Sequence, residues 1–189
     1  MTRNRSTSPV LRLALAGMMT AAVMVSNYIS IPTGYSRLHV ANAVCMLAGM
    51  LFGGVRGGII AGLGSALFDL TFPAYVAEAW ITFINKGAMA LACGLIVHDR
   101  GNRLSRHTMT IIGSVTGALL YVALYMLKSY IQMRWVTPVP PDVVPVTLVG
   151  KLSSSAINGL FAVIVAPLLY AALYPALTKS GLLEPAGRA

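Results

Sequence analysis

With 189 residues, 57% of them hydrophobic and only 10% charged, and a mean hydropathy of +0.75, the chain lies well outside the composition of a water-soluble domain. Its net charge of +9 would suit nucleic acid, but the cations are scattered between apolar runs rather than gathered on one face, so they read as topology signals and nucleic acid is not an expected partner. The apolar runs have helical length, not the weakly alternating pattern of a membrane barrel, so the expectation is an all-α integral membrane bundle of six transmembrane helices in a single domain.

The first span covers about 9–31, with Ser8 as its cap and Pro9 at the first helical position, where a missing N–H is no loss. The short basic segment before it resembles a signal peptide, but the long apolar run and the spans that follow favour an uncleaved first helix. Pro32-Thr-Gly is a turn signal. The second span, about 36–53, is short unless Tyr35 to Leu38 extend it, and it stops at Gly53-Gly-Val-Arg-Gly-Gly58. The third covers about 57–71 and is broken by Pro73, and the fourth covers about 78–97, ahead of the polar stretch from His98 to His107. The fifth, about 109–131, leads into Val136-Thr-Pro-Val-Pro-Pro-Asp142, where prolines favour extended or turn backbone. The sixth, about 145–177, is long, with Pro167 as its natural kink site. No internal repeat is evident, unlike the inverted-repeat transporters.

Lysines and arginines in the connections set the orientation. With the N-terminus inside, the cytoplasmic side holds Arg3, Arg5, Arg12, Arg56, Arg100, Arg103, Arg106, Lys179 and Arg188, against only Arg37 and Arg134 outside. Both termini are therefore expected to be cytoplasmic.

Ionisable residues within the spans are the main functional signal, because a charge in hydrocarbon costs at least a few kcal/mol and normally faces a bundle interior, a partner or a solute path. Asp69 lies about 18 Å up the third helix and Lys86 about 12 Å below the opposite surface, which brings them to one depth. They are candidates for a packing ion pair as well as for solute contact. Lys128 and Lys151 fall in the same outer layer, where each lysine could instead snorkel to the interface. Arg37 lies just beyond, and Trp80, Asn85 and Asn158 are among the aromatic and amide residues around the layer. The group suits a cation-rich, aromatic-lined cup for a small solute with anionic groups or a flat heterocycle, although single Trp and Tyr residues also serve as interfacial anchors.

Small residues form a second pattern. Gly17 and Ala21 stand four apart on the first helix, and Gly58, Gly62 and Ala66 form a comparable row on the third; such rows allow close helix approach, within the bundle or to another membrane protein. Cys45 and Cys93 fall within spans and read as ordinary apolar thiols. There is no nucleotide-binding or hydrolase motif, and His39, His98 and His107 are dispersed, so neither an enzyme, a metal site nor a cofactor is expected.

The chain resembles the vitamin-type S components of energy-coupling-factor (ECF) transporters, the group that includes riboflavin transporters. The resemblance is carried by Leu13-Ala-Leu-Ala-Gly17, His39-Val-Ala-Asn-Ala43 leading to Leu47-Ala-Gly-Met-Leu-Phe-Gly53, Gly62-Leu-Gly-Ser-Ala-Leu-Phe-Asp69, and Phe83-Ile-Asn-Lys-Gly87 followed by Cys93-Gly94. It extends more loosely to Asn158-Gly-Leu and Ala166-Pro-Leu-Leu-Tyr170. The resemblance implies a protein that binds a vitamin or related micronutrient from outside and docks on a membrane T component carrying two ATP-binding cassette ATPases. It also implies pocket roles for Asn85 and Lys86, and docking roles for Gly17 and Ala21. The rivals are a stand-alone carrier or channel, which needs a continuous polar path, and a structural membrane protein whose buried charges serve packing.

Overall fold

The chain meets its first structural instruction at Ser8, whose hydroxyl accepts the Leu11 N–H at 3.2 Å and caps α1 (Pro9–Tyr28). In the computed structural model, which describes residues 8–32, 37–99 and 104–183, five further helices follow: α2 (Ala41–Phe52), α3 (Gly54–Leu70), α4 (Ala79–Val97), α5 (Arg106–Ile131) and α6 (Val143–Lys179). A 3₁₀ turn, Val76–Glu78, leads into α4, and a π-helical turn, Gln132–Val136, prolongs α5. Among the described residues four segments are long and apolar enough to cross a membrane: Pro9–Tyr28, Val76–Val97, Arg106–Val136 and Val143–Lys179. Outward-facing Val10, Leu13, Leu119 and Leu160 are all exposed, as a lipid-facing surface requires.

Two expectations need correction. The second span does not extend outward as a helix: Arg37–His39 form a strand, β2, paired antiparallel with β1 (Ser30–Pro32), with Ile31 opposite Leu38. The bundle is thus helical with one small ribbon. Backbone that is satisfied across a ribbon needs no helix, provided that protein surrounds it. Starting only at Ala41, α2 has 12 residues, about 18 Å, and falls short of a hydrocarbon core of about 30 Å. It is buried along nearly its whole length and serves as the centre of the bundle.

The packing around α2 depends on absent side chains. Gly53 adopts φ 84°, the left-handed region that glycine tolerates, and turns the chain from α2 into α3. Between α3 and α4 the backbones nearly touch: a Cβ on Gly58 would lie 3.0 Å from the Gly87 carbonyl oxygen, and one on Gly62 would lie 2.8 Å from that of Phe83. Met46, Met50, Met89, Cys45 and Cys93 fill the core beside this seam, the two cysteines as free thiols.

The helices alternate in direction. Arg106 at the start of α5 donates to the Tyr170 hydroxyl near the far end of α6 at 3.1 Å, while Asn158 of α6 reaches the ribbon. Despite Pro167 and Pro175, α6 is continuous over 37 residues.

Candidate functional site

At the ribbon end, the ends of α3, α4 and α5, the first turns of α6 and the ribbon enclose a cavity of about 660 Å³, within the size range of small-molecule sites. Its wall on α4 reads Ile81, Thr82, Asn85 and Lys86, one face of a helix at three- and four-residue spacing, with Glu78 in the 3₁₀ turn just before it. Its wall on α5 and the π-helical turn that prolongs it reads Tyr121, Tyr125, Lys128 and Gln132 at the same period.

Arg37 closes one side. Its guanidinium carbon lies 5.3 Å from the ring centroid of Phe68 and 5.8 Å from those of Phe72 and Tyr75, and its Nη2 donates to Ser30 Oγ at 2.7 Å. Phe68 is packed in turn by Tyr28 and Phe72, with centroids at 4.8 and 5.0 Å. The cation is thus held by aromatic faces and one hydroxyl.

Lys86 lies deeper, 4% exposed. Its ammonium donates to Asn42 Oδ1, on the first turn of α2, and stands 5.0 Å from the Tyr121 ring centroid. Asp69 is buried with Thr82 beside it and also lines the cavity, but no ion pair joins it to Lys86 among the described residues. The partner is an amide oxygen because α2 enters the bundle at this level and places Asn42 against the lysine. Asn42 lies beside the Tyr121 hydroxyl as well, and His39 Nδ1 is buried without a hydrogen bond of standard geometry.

On the opposite wall Lys128 does not snorkel: its Nζ pairs with Glu78 Oε2 at 2.5 Å, and Gln132 Nε2 donates to Glu78 Oε1 at 2.7 Å. Lys151 stands 5.9 Å from the Tyr125 ring centroid, and Tyr125 stacks on Tyr121 at 5.9 Å and 15°.

The structure therefore brings Arg37, Asp69, Asn85, Lys86, Lys128 and Lys151 to one cavity and leaves two candidates outside its wall. Trp80 is 65% exposed, because it falls off the α4 face that carries Thr82, Asn85 and Lys86. Asn158 is buried and faces the ribbon: its Oδ1 accepts from the His39 N–H at 2.9 Å and its Nδ2 donates to the Arg37 carbonyl at 2.7 Å, so it positions cavity residues. Gly17 and Ala21 lie on the exposed face of α1, with nothing within 4 Å of a Cβ built on Gly17, whereas the Gly58 and Gly62 row packs inside the bundle.

Sequence reading missed His39, Tyr121 and Gln132 as cavity residues, and Asn42 as the partner of Lys86. The α5 residues carried a signal: Tyr121, Tyr125, Lys128 and Gln132 repeat on one helical face.

The family described as "ECF-type riboflavin transporter, S component" matches residues 8–175. A Pyrococcus woesei protein described as "Uncharacterized protein in gap 3'region" is 30% identical over 103 residues, covering 54% of this chain and 66% of its own length, just under two thirds of that relative. The structure described as "Structure and mechanism of the S component of a bacterial ECF transporter" superposes with a TM-score of 0.68 at 20% identity, covering 90% of this chain and 99% of that one, a likeness of fold. The motif resemblance read from the sequence thus holds across most of the chain, which belongs to the ECF-type riboflavin transporter S-component family.

Proposed function

We propose that this protein binds a vitamin-type micronutrient from outside the cell in the ribbon-end cavity. It delivers the solute inward when docked on a membrane T component with two ATP-binding cassette ATPases, in the plasma membrane of a prokaryote. The observation that carries the reading is the cavity, about 660 Å³ in volume, where ring faces and fixed cations converge. The distribution of lysine and arginine supports placing both termini in the cytoplasm, and hence the ribbon end outside. The family's description names riboflavin, and a flavin is flat enough to suit aromatic walls.

Gly17 and Ala21 are the proposed docking face, since their side of α1 is open and small residues let a neighbouring helix approach closely. Delivery by tilting of the loaded bundle fits such an arrangement, with ATP hydrolysed by the partners. The filled core below the cavity, including fully buried Met46, Met50 and Met89, argues against a stand-alone channel. The test is uptake into proteoliposomes. Vitamin accumulation only when the T component, both ATPases and ATP are present is expected; equal uptake by this chain alone would overturn the reading in favour of a carrier.

A further inference from the structure

We infer that the solute carries an anionic group, a carboxylate or phosphate, and that Lys86 and Lys151, rather than Arg37 or Lys128, select it. The inference rests on the solute-binding reading above and names the chemistry of that solute.

Four cations face the cavity, Arg37, Lys86, Lys128 and Lys151, against two carboxylates, Asp69 and Glu78. They are not equivalent. Lys128 is neutralised by Glu78 at 2.5 Å, and Arg37 is engaged by Ser30 and three aromatic rings. Among the described residues neither Lys86 nor Lys151 has a carboxylate at ion-pair distance, although Asp69 lies within electrostatic reach of the first and Glu78 of the second. Their neighbours are the Asn42 amide oxygen and the tyrosine rings of α5, which hold an ammonium in place without cancelling its charge.

A cavity among membrane helices that keeps an excess of positive charge is costly when empty, and an anion entering it offsets that cost. The ammoniums are already fixed, so little ordering remains to be done on binding. His39, which also lines the cavity, has its ring Nδ1 buried without a hydrogen bond of standard geometry, a polar atom that a solute at this level can meet.

The test uses purified protein stripped of ligand and matched pairs that differ in one anionic group: riboflavin with riboflavin 5′-phosphate, biotinamide with biotin, and pantothenol with pantothenate. Titration calorimetry reads the affinities. In at least one pair the anionic member is expected to bind more than about tenfold tighter, as the loss of a charged hydrogen bond predicts. That preference should collapse in Lys86→Gln and in Lys151→Gln, and should persist in the double variant Glu78→Gln with Lys128→Gln, which removes a neutralised pair and leaves the net charge of the cavity unchanged. The phosphate and carboxylate pairs separate the two anion types. Half-buried Lys151 keeps the test readable should Lys86→Gln fail to fold. Neutral members binding as tightly as their anions, or a preference that survives both substitutions, would overturn the inference while leaving solute binding intact. Failure of every compound to bind would overturn the solute-binding reading with it.

Discussion

Two rows of small residues, alike in sequence, have opposite surroundings in this fold. Gly58 and Gly62 on α3 meet the backbone of α4, with 3.0 and 2.8 Å left for any Cβ, whereas Gly17 on α1 meets nothing within 4 Å and Ala21 beside it is exposed. The motif specifies that a backbone can be approached closely, and only the rest of the fold decides what approaches it. On α3 the partner is inside the chain; on α1 we propose that it is another subunit.

Substitutions can break this contrast. The largest effect is expected from Gly62→Leu, which forces a branched side chain against the Phe83 carbonyl and ring and should destabilise the bundle by about 3 kcal/mol or more. Loss of monodisperse protein in detergent, or a large fall in thermal midpoint, reads it directly. Gly17→Leu combined with Ala21→Leu should leave the thermal midpoint and solute binding unchanged while abolishing ATP-driven uptake in the reconstituted complex. Equal loss of stability would make the α1 face part of the core.

Next comes the cavity itself. Lys86→Ala should weaken solute binding by tenfold or more, the equivalent of losing a charged hydrogen bond worth about 1.5–3 kcal/mol. A smaller loss is expected from Asn158→Ala, which removes two hydrogen bonds to the ribbon, at 2.9 and 2.7 Å, and so loosens Arg37 and His39. At about 1 kcal/mol per bond, a several-fold faster solute release in stopped-flow would mark its positioning role. Trp80→Ala, on an exposed face away from the cavity, should change binding free energy by no more than about 0.5 kcal/mol.

Most of the helical architecture was legible because length and hydropathy are local properties, and the buried cations were legible because charges in apolar runs are rare. What pairs with each charge was not. Asp69 and Lys86 share a depth, yet the lysine bonds to Asn42 because α2 begins at that level, a consequence of the ribbon. The ribbon joins three-residue strands, too short for any periodicity to announce, and Tyr35 to Leu38 read equally well as the continuation of a helix. Trp80 was assigned by depth alone, whereas its rotation about α4 directs it away from the cavity. For Asn158 the residue type suits a solute contact and a loop clamp equally; only the ribbon's position distinguishes them.

The central claim is that the aromatic and cationic cavity holds a vitamin-type solute. It is tested most directly by mass spectrometry and an absorbance spectrum of whatever co-purifies with the detergent-solubilised protein. The account predicts a stoichiometric small molecule of vitamin type, lost when Lys86 and Lys151 are both replaced by alanine. Protein that emerges empty and binds no member of a vitamin panel would contradict it.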